Sequence, residues 1–117
     1  MAHSTQREKG IAKFEEVMGF KPPEIEEPFL DMTIDHLFPN VWGRGELSRR
    51  ERRLITLTII TCLGHEPTLA LHLNAAMKTG DLSDKDVDEL MLHIAHYAGW
   101  PVAALGTGVV RQLRAQR

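Results

Sequence analysis

Ser48-Arg49-Arg50-Glu51-Arg52-Arg53-Leu54-Ile55-Thr56-Leu57-Thr58-Ile59-Ile60-Thr61-Cys62-Leu63-Gly64 begins as a helix cap and ends on a helix stop. Ser48 and Glu51 have the spacing of a capping box, in which the hydroxyl satisfies the N3 amide and the carboxylate reaches back to the cap amide. From Leu54 to Leu63 the residues are apolar or threonine almost all round, the pattern of a helix buried centrally or between subunits. The charge run Arg49–Arg53 is expected to be a solvated first turn. Cys62 is expected to be a buried thiol, because its neighbours are apolar.

The same logic extends in both directions. Upstream, Ile11, Phe14 and Met18 mark an amphipathic helix over about 7–18, ended by Gly19 and Pro22-Pro23. Ile25, Phe29, Met32 and Leu37 mark a second helix over about 24–37, which Phe38-Pro39-Asn40 is expected to end. A loop over 40–47 then carries Trp42 and Arg44. Downstream, Pro67 suits a first helical turn, and Leu69, Leu73, Ala76 and Met77 form the stripe of a helix that stops at Gly80. Ser83 and Asp86 form a second box-like cap for a helix with the stripe Val87, Leu90, Met91, Ile94 and Ala98. Pro101 opens a last helix, rich in small residues and closing on Arg111, Arg114 and Arg117, where cations suit the helix dipole. No period-two alternation interrupts this pattern. The expectation is an all-α fold of six helices in a single domain over 1–117, with residues 1–6 loose.

Composition narrows the function classes. With 14 Lys+Arg against 16 Asp+Glu there is no basic field to draw nucleic acid by counterion release. The longest apolar run is far short of the ~20 residues of a membrane span. No hydrophobic stretch follows the charges of the first nine residues, so the expectation is a cytoplasmic protein without nucleic-acid or membrane partners. A single cysteine cannot run a dithiol cycle within one chain.

Six histidines are more than a plain bundle needs, and His65, His72, His93 and His96 fall on consecutive elements. Imidazole titrates near neutrality, so such a set can supply a general acid or base. The plain alternative, hydrogen-bonded or solvated rings without a role, stays open for each. His-x-x-His on a helix is only weakly specific for metal, and no metal is assigned. Trp42 and Arg44 flank Gly43 in the loop, where Arg can fork onto a carboxylate and Trp can equally plug a core.

Taken together, Trp42-Gly43-Arg44-Gly45-Glu46-Leu47-Ser48, Arg52-Arg53-Leu54-Ile55-Thr56-Leu57, Leu63-Gly64, His72, Gly80, Leu92-His93 and Tyr97-Ala98-Gly99-Trp100-Pro101 resemble the carboxymuconolactone decarboxylase family over about 25–115. The related alkylhydroperoxidase D-like branch uses Cys-x-x-Cys-x-x-x-His with a glutamate twelve residues upstream. Those positions here hold His65, Thr68 and His72, with Arg53 at the glutamate, so only the histidine is shared. The turn Gly80-Asp81-Leu82-Ser83 is one residue longer than the family's usual turn.

The resemblance implies an alkylhydroperoxidase D-like six-helix bundle that assembles as a homotrimer or a hexamer of trimers. It also implies a cofactor-free lyase acting on a small carboxylated lactone in aromatic-compound catabolism. His72 would then be proton donor or oxyanion partner, with His93 supporting it, Arg44 holding a carboxylate, Trp42 and Tyr97 walling the pocket, and His65 among the substrate-binding residues. Two alternatives stand beside this: an enzyme of the same fold with weak peroxidase (peroxiredoxin-type) activity through Cys62, and a non-catalytic small-molecule-binding homo-oligomer.

Overall fold

Glycines with positive φ punctuate the chain at the stops read from the sequence, Gly19 (80°), Gly64 (71°) and Gly80 (80°), and again at Gly99 (109°). A computed structural model describes residues 2–117, with side chains from Gln6 onward. Among the described residues it is entirely helical. The elements are α1 (Ala2–Met18), α2 (Pro28–Met32), a π-type helix (Thr33–Trp42), α3 (Arg49–Leu63), α4 (Glu66–Lys78), α5 (Asp84–Ala98) and α6 (Trp100–Ala115). Of the stretch expected to be loose, residue 1 and the side chains of 2–5 lie outside the described residues, while the α1 backbone is helical from Ala2. The chain divides into two compact units, one ending at Arg49 and the other spanning Arg50–Arg117.

In the first unit, Phe14, Val17, Met18, Leu30, Ile34, Phe38 and Trp42 form the core. The second helix was expected to end at Pro39; instead the chain stays helical through it to Trp42 in the wider π register. In an α-helix the Pro39 ring would clash with the carbonyl of Asp35, four residues back. Here that carbonyl accepts a hydrogen bond from Gln6 Nε2 at 2.8 Å, and the same amide donates to Asn40 Oδ1 at 2.8 Å. Arg7 adds a second clamp, its guanidinium 3.0 Å from Asp31 and 2.7 Å from Asp35. α1 and the π-type helix touch backbone to backbone at Gly10, where a Cβ would fall 1.7 Å from the Ile34 carbonyl oxygen. Trp42 therefore belongs to a helix end and a core rather than to the expected loop, and it stacks on Phe38.

In the second unit the core joins Leu57 of α3, Leu69, Leu73 and Ala76 of α4, Leu82, Val87, Met91, Ile94 and Ala95 around α5, and Ala103, Val109 and Val110 of α6. The cap expected at Ser83 is present in both arms: Asp86 N–H donates to Ser83 Oγ at 3.1 Å and Ser83 N–H to an Asp86 carboxylate oxygen at 3.0 Å. α5 and α6 pack closely because Gly106 leaves room for Met91, whose Sδ would lie 2.6 Å from a Cβ there. Arg114, near the end of α6, ties back to Asp84 and Asp88 at 3.3 and 2.8 Å.

Within one chain α3 is buried on one face only, which rules out the central burial that the sequence offered beside burial between subunits. Only the stripe Arg53, Leu57, Thr61 is buried, whereas Ile55, Ile59 and Leu63 are exposed, as is Cys62. The expected solvated turn thus contains a fully buried arginine, and the expected buried thiol lies at the surface. Both follow from one rotation of the helix: the i, i+4, i+8 row facing the core is the one that begins at Arg53.

Candidate active site

Arg53 is 0% exposed, the largest fully buried side chain of the structure. A buried guanidinium needs a counter-charge and hydrogen-bond acceptors, and the chain supplies both from the turn after α4. Positive φ at Gly80 turns the backbone so that Asp81 comes back to α3. One Asp81 carboxylate oxygen accepts from Arg53 Nη2 at 3.2 Å and from Nε at 3.4 Å. Thr79 Oγ1 donates to the Ala75 carbonyl at 2.7 Å, which leaves its lone pairs to face Arg53 Nη2 at 3.5 Å. The turn Gly80-Asp81-Leu82-Ser83 therefore provides the partner of the buried cation.

His72 lies next to this pair. Leu69, Leu73 and Ala76 hold the buried stripe of α4, and His72 sits half-buried at its edge. Its Nδ1 is buried and has no hydrogen-bond partner among the described residues. Burial, and secondly the positive field of Arg53, push its pKa down to about 4. At neutral pH the ring is accordingly uncharged, an imidazole set beside a fixed cation.

The other residues singled out from the sequence fall into separate groups. His65 caps α4 and pairs through Nδ1 with Thr68 Oγ1, so the two positions that carry thiols in the related branch are joined by a hydrogen bond here. His93 and Tyr97 stack one turn apart on the exposed face of α5, ring centroids 5.0 Å apart. His96 donates from Nδ1 to the Leu92 carbonyl at 2.7 Å and meets the edge of Trp100. His93 also lines an open groove of about 580 Å³ between α3 and α5, floored by Leu54, Ile55, Ile59 and Leu90 and flanked by the Arg50–Asp86 ion pair at 3.4 Å. His72 is not among the residues lining that groove. Arg44 is exposed on the loop after the π-type helix, in the first unit with Trp42. Among the described residues no three His, Cys, Asp or Glu side chains converge to hold a metal ion, and no helix is long and apolar enough to cross a membrane.

Sequence reasoning missed Arg53, Thr79 and Asp81. The one available signal was the Arg53–Leu57–Thr61 row, which puts the arginine in register with a core leucine.

The family model for the carboxymuconolactone decarboxylase family matches residues 27–112. The chain belongs to the carboxymuconolactone decarboxylase family. It is 40% identical over 80 residues to the 4-carboxymuconolactone decarboxylase of Acinetobacter baylyi, a match covering 68% of this chain and 59% of that protein. It is 27% identical over 107 residues to the nitrosuccinic acid decarboxylase npaB of Metarhizium robertsii, covering 85% of this chain and 74% of that protein. No solved structure matches it significantly. Within this family member, α3, α4 and the whole Arg53–Asp81–His72 group fall inside the matched region.

Proposed function

We propose that the chain is a cofactor-free decarboxylase of the 4-carboxymuconolactone decarboxylase type, acting on a small carboxylated lactone in aromatic-compound catabolism in the cytoplasm. The observation that carries this reading is the half-buried His72, its Nδ1 without a hydrogen-bond partner among the described residues, in the field of the fully buried Arg53 cation. Both curated relatives are named as decarboxylases, of different acids, which supports the reaction type more strongly than any one substrate.

The chemistry asks for what this group offers. The carbon–carboxylate bond breaks, carbon dioxide leaves, and the electron pair spreads over the lactone ring as a dienolate, which then takes up one proton at carbon. Negative charge moves from a carboxylate, well solvated in water, to an enolate oxygen, and fixed donors and cations in a dry site stabilise that oxygen without reorganising. His72 serves as proton donor or oxyanion partner, and Arg53 supplies the field. Arg44 is the proposed contact for the substrate's second carboxylate. Tyr97 and His65 are the proposed substrate-binding residues, with His93 in support, while Trp42 serves the core of the first unit.

Assembly as a homotrimer or hexamer belongs to the same proposal. It is supported by the apolar side chains exposed on α3, α5 and α6: Ile55, Ile59, Leu63, Leu92, Tyr97 and Trp100. The test of the function is carbon dioxide release from carboxylated muconolactones by the purified chain, set against His72→Ala. Release that depends on His72 is expected; full activity in the variant would remove His72 from the mechanism.

A further inference from the structure

The proposed reaction leaves His72 two roles, and the surroundings of its ring distinguish them. Nδ1 is buried without a hydrogen-bond partner among the described residues. A buried N–H with no acceptor forfeits a full hydrogen bond, and orphaned donors are much rarer in folded proteins than under-used acceptors. A bare lone pair at Nδ1 avoids that cost. The ring also lies in the field of Arg53, a neighbouring positive charge that favours a lone pair over an N–H on the side facing it. The position of that charge is fixed: Arg53 is fully buried on the Leu57–Thr61 stripe and held by Asp81 at 3.2 Å and Thr79 at 3.5 Å. α6, which packs on α4, carries Arg111 and Arg114, and Arg117 follows it; Arg114 and Arg117 are engaged with Asp84 and Asp88.

We propose that the Arg53–Asp81 pair fixes the tautomer of His72, leaving Nδ1 bare and the ring's one proton on Nε2, so that His72 acts as a hydrogen-bond donor to the enolate oxygen and not as the acid that reprotonates carbon. The proposal rests on the decarboxylase reading and makes Arg53 and Asp81 positioning residues for that reaction. When carbon dioxide leaves, Nε2–H donates to the oxygen on which the electron pair accumulates, and the proton that completes the product at carbon comes from solvent water. A neutral imidazole is suited to this role: it donates a hydrogen bond without an ionised form that would have to be regenerated each turn. The turn Gly80-Asp81-Leu82-Ser83 brings that carboxylate to Arg53 while Leu82 is buried in the core.

The test is ¹⁵N NMR of the full chain labelled at histidine, with the His72 signals identified by their loss in His72→Gln. At pH 7 the wild-type ring is expected to show a bare Nδ1 and a protonated Nε2, and to titrate near 4. In the double variant Arg53→Gln/Asp81→Asn, which replaces both charges by amides of similar size, the titration should rise above that of wild type while burial, the larger cause, still holds it below the ordinary histidine value, and the tautomers should mix. Arg53→Lys, which keeps the charge, should hold both features near wild type. A proton on Nδ1 in the wild-type protein overturns the proposal, whether or not the double variant folds. So does an unchanged tautomer and titration in a folded double variant. The spectra need no turnover, so an inactive protein with Nε2–H refutes the decarboxylase reading, and an active one with Nδ1–H refutes this inference.

Discussion

Replacing Asp81 by Asn tests whether the buried ion pair is real, because it removes one charge while keeping the size of the side chain. Arg53 is 0% and Asp81 9% exposed, so water cannot take the place of the lost carboxylate. Breaking a buried pair from one side costs about 3–5 kcal/mol, most of it the desolvation of the charge left behind. The contacts at 3.2 and 3.4 Å go to a single carboxylate oxygen and are longer than the 2.7–2.9 Å of a strong charge-assisted bond. Thr79 stays in place. The expected loss is therefore at the low end, about 3 kcal/mol, or roughly 10 °C in Tm for a chain of this size. Urea denaturation at a fixed protein concentration measures it, with an unchanged slope showing that only stability has moved. Asp88→Asn is the control: its bond to Arg114 is 2.8 Å long but Asp88 is 64% exposed, so it should cost less than about 1 kcal/mol. A loss for Asp81→Asn no larger than that of the control would refute the burial argument and with it the role given to Arg53.

Two further outcomes follow from the same structure. His72 has its pKa lowered to about 4 in the folded chain from an ordinary 6.5, so above pH 6.5 it is neutral folded or unfolded and contributes nothing. As pH falls from about 6.5 to about 4 the unfolded chain takes the proton first, and wild type should lose about 3 kcal/mol relative to His72→Gln, with no further loss from this group below 4. Parallel pH profiles of denaturation midpoint for the two proteins would contradict it. Gly10→Ala should destabilise by about 1–3 kcal/mol, because its Cβ would fall on the Ile34 carbonyl. In an ordinary helix interior the same change would stabilise by about 1 kcal/mol, so the sign of the change in urea midpoint decides.

Features set by nearby residues were legible in the sequence. The Ser83–Asp86 cap, the glycine stops and the proline-led starts of α4 and α6 each depend on a few adjacent positions, and all appear where read. Features set by distant partners were not. The π-type helix survives Pro39 because Gln6, 29 residues before Asp35, supplies the hydrogen bond to the freed carbonyl. Arg53 read as part of a solvated charge run because its counter-ion is 28 residues away, on the turn after α4. Cys62 read as buried because α3 is apolar on more than one face, and the sequence alone does not say which face meets the core. His72 was legible as the histidine of the family pattern; its lowered pKa depends on its own burial and, secondly, on the field of Arg53, both set by tertiary packing.

The central claim is that this chain removes carbon dioxide from a small carboxylated lactone through His72. Carbon dioxide evolution and loss of substrate absorbance are followed together on mixing the purified protein with 4-carboxymuconolactone and no added cofactor. The account predicts turnover by wild type and a fall in kcat of about 10²–10³ in His72→Ala, the size of losing one oxyanion donor. No release of carbon dioxide by wild type, or equal release by His72→Ala, would contradict it.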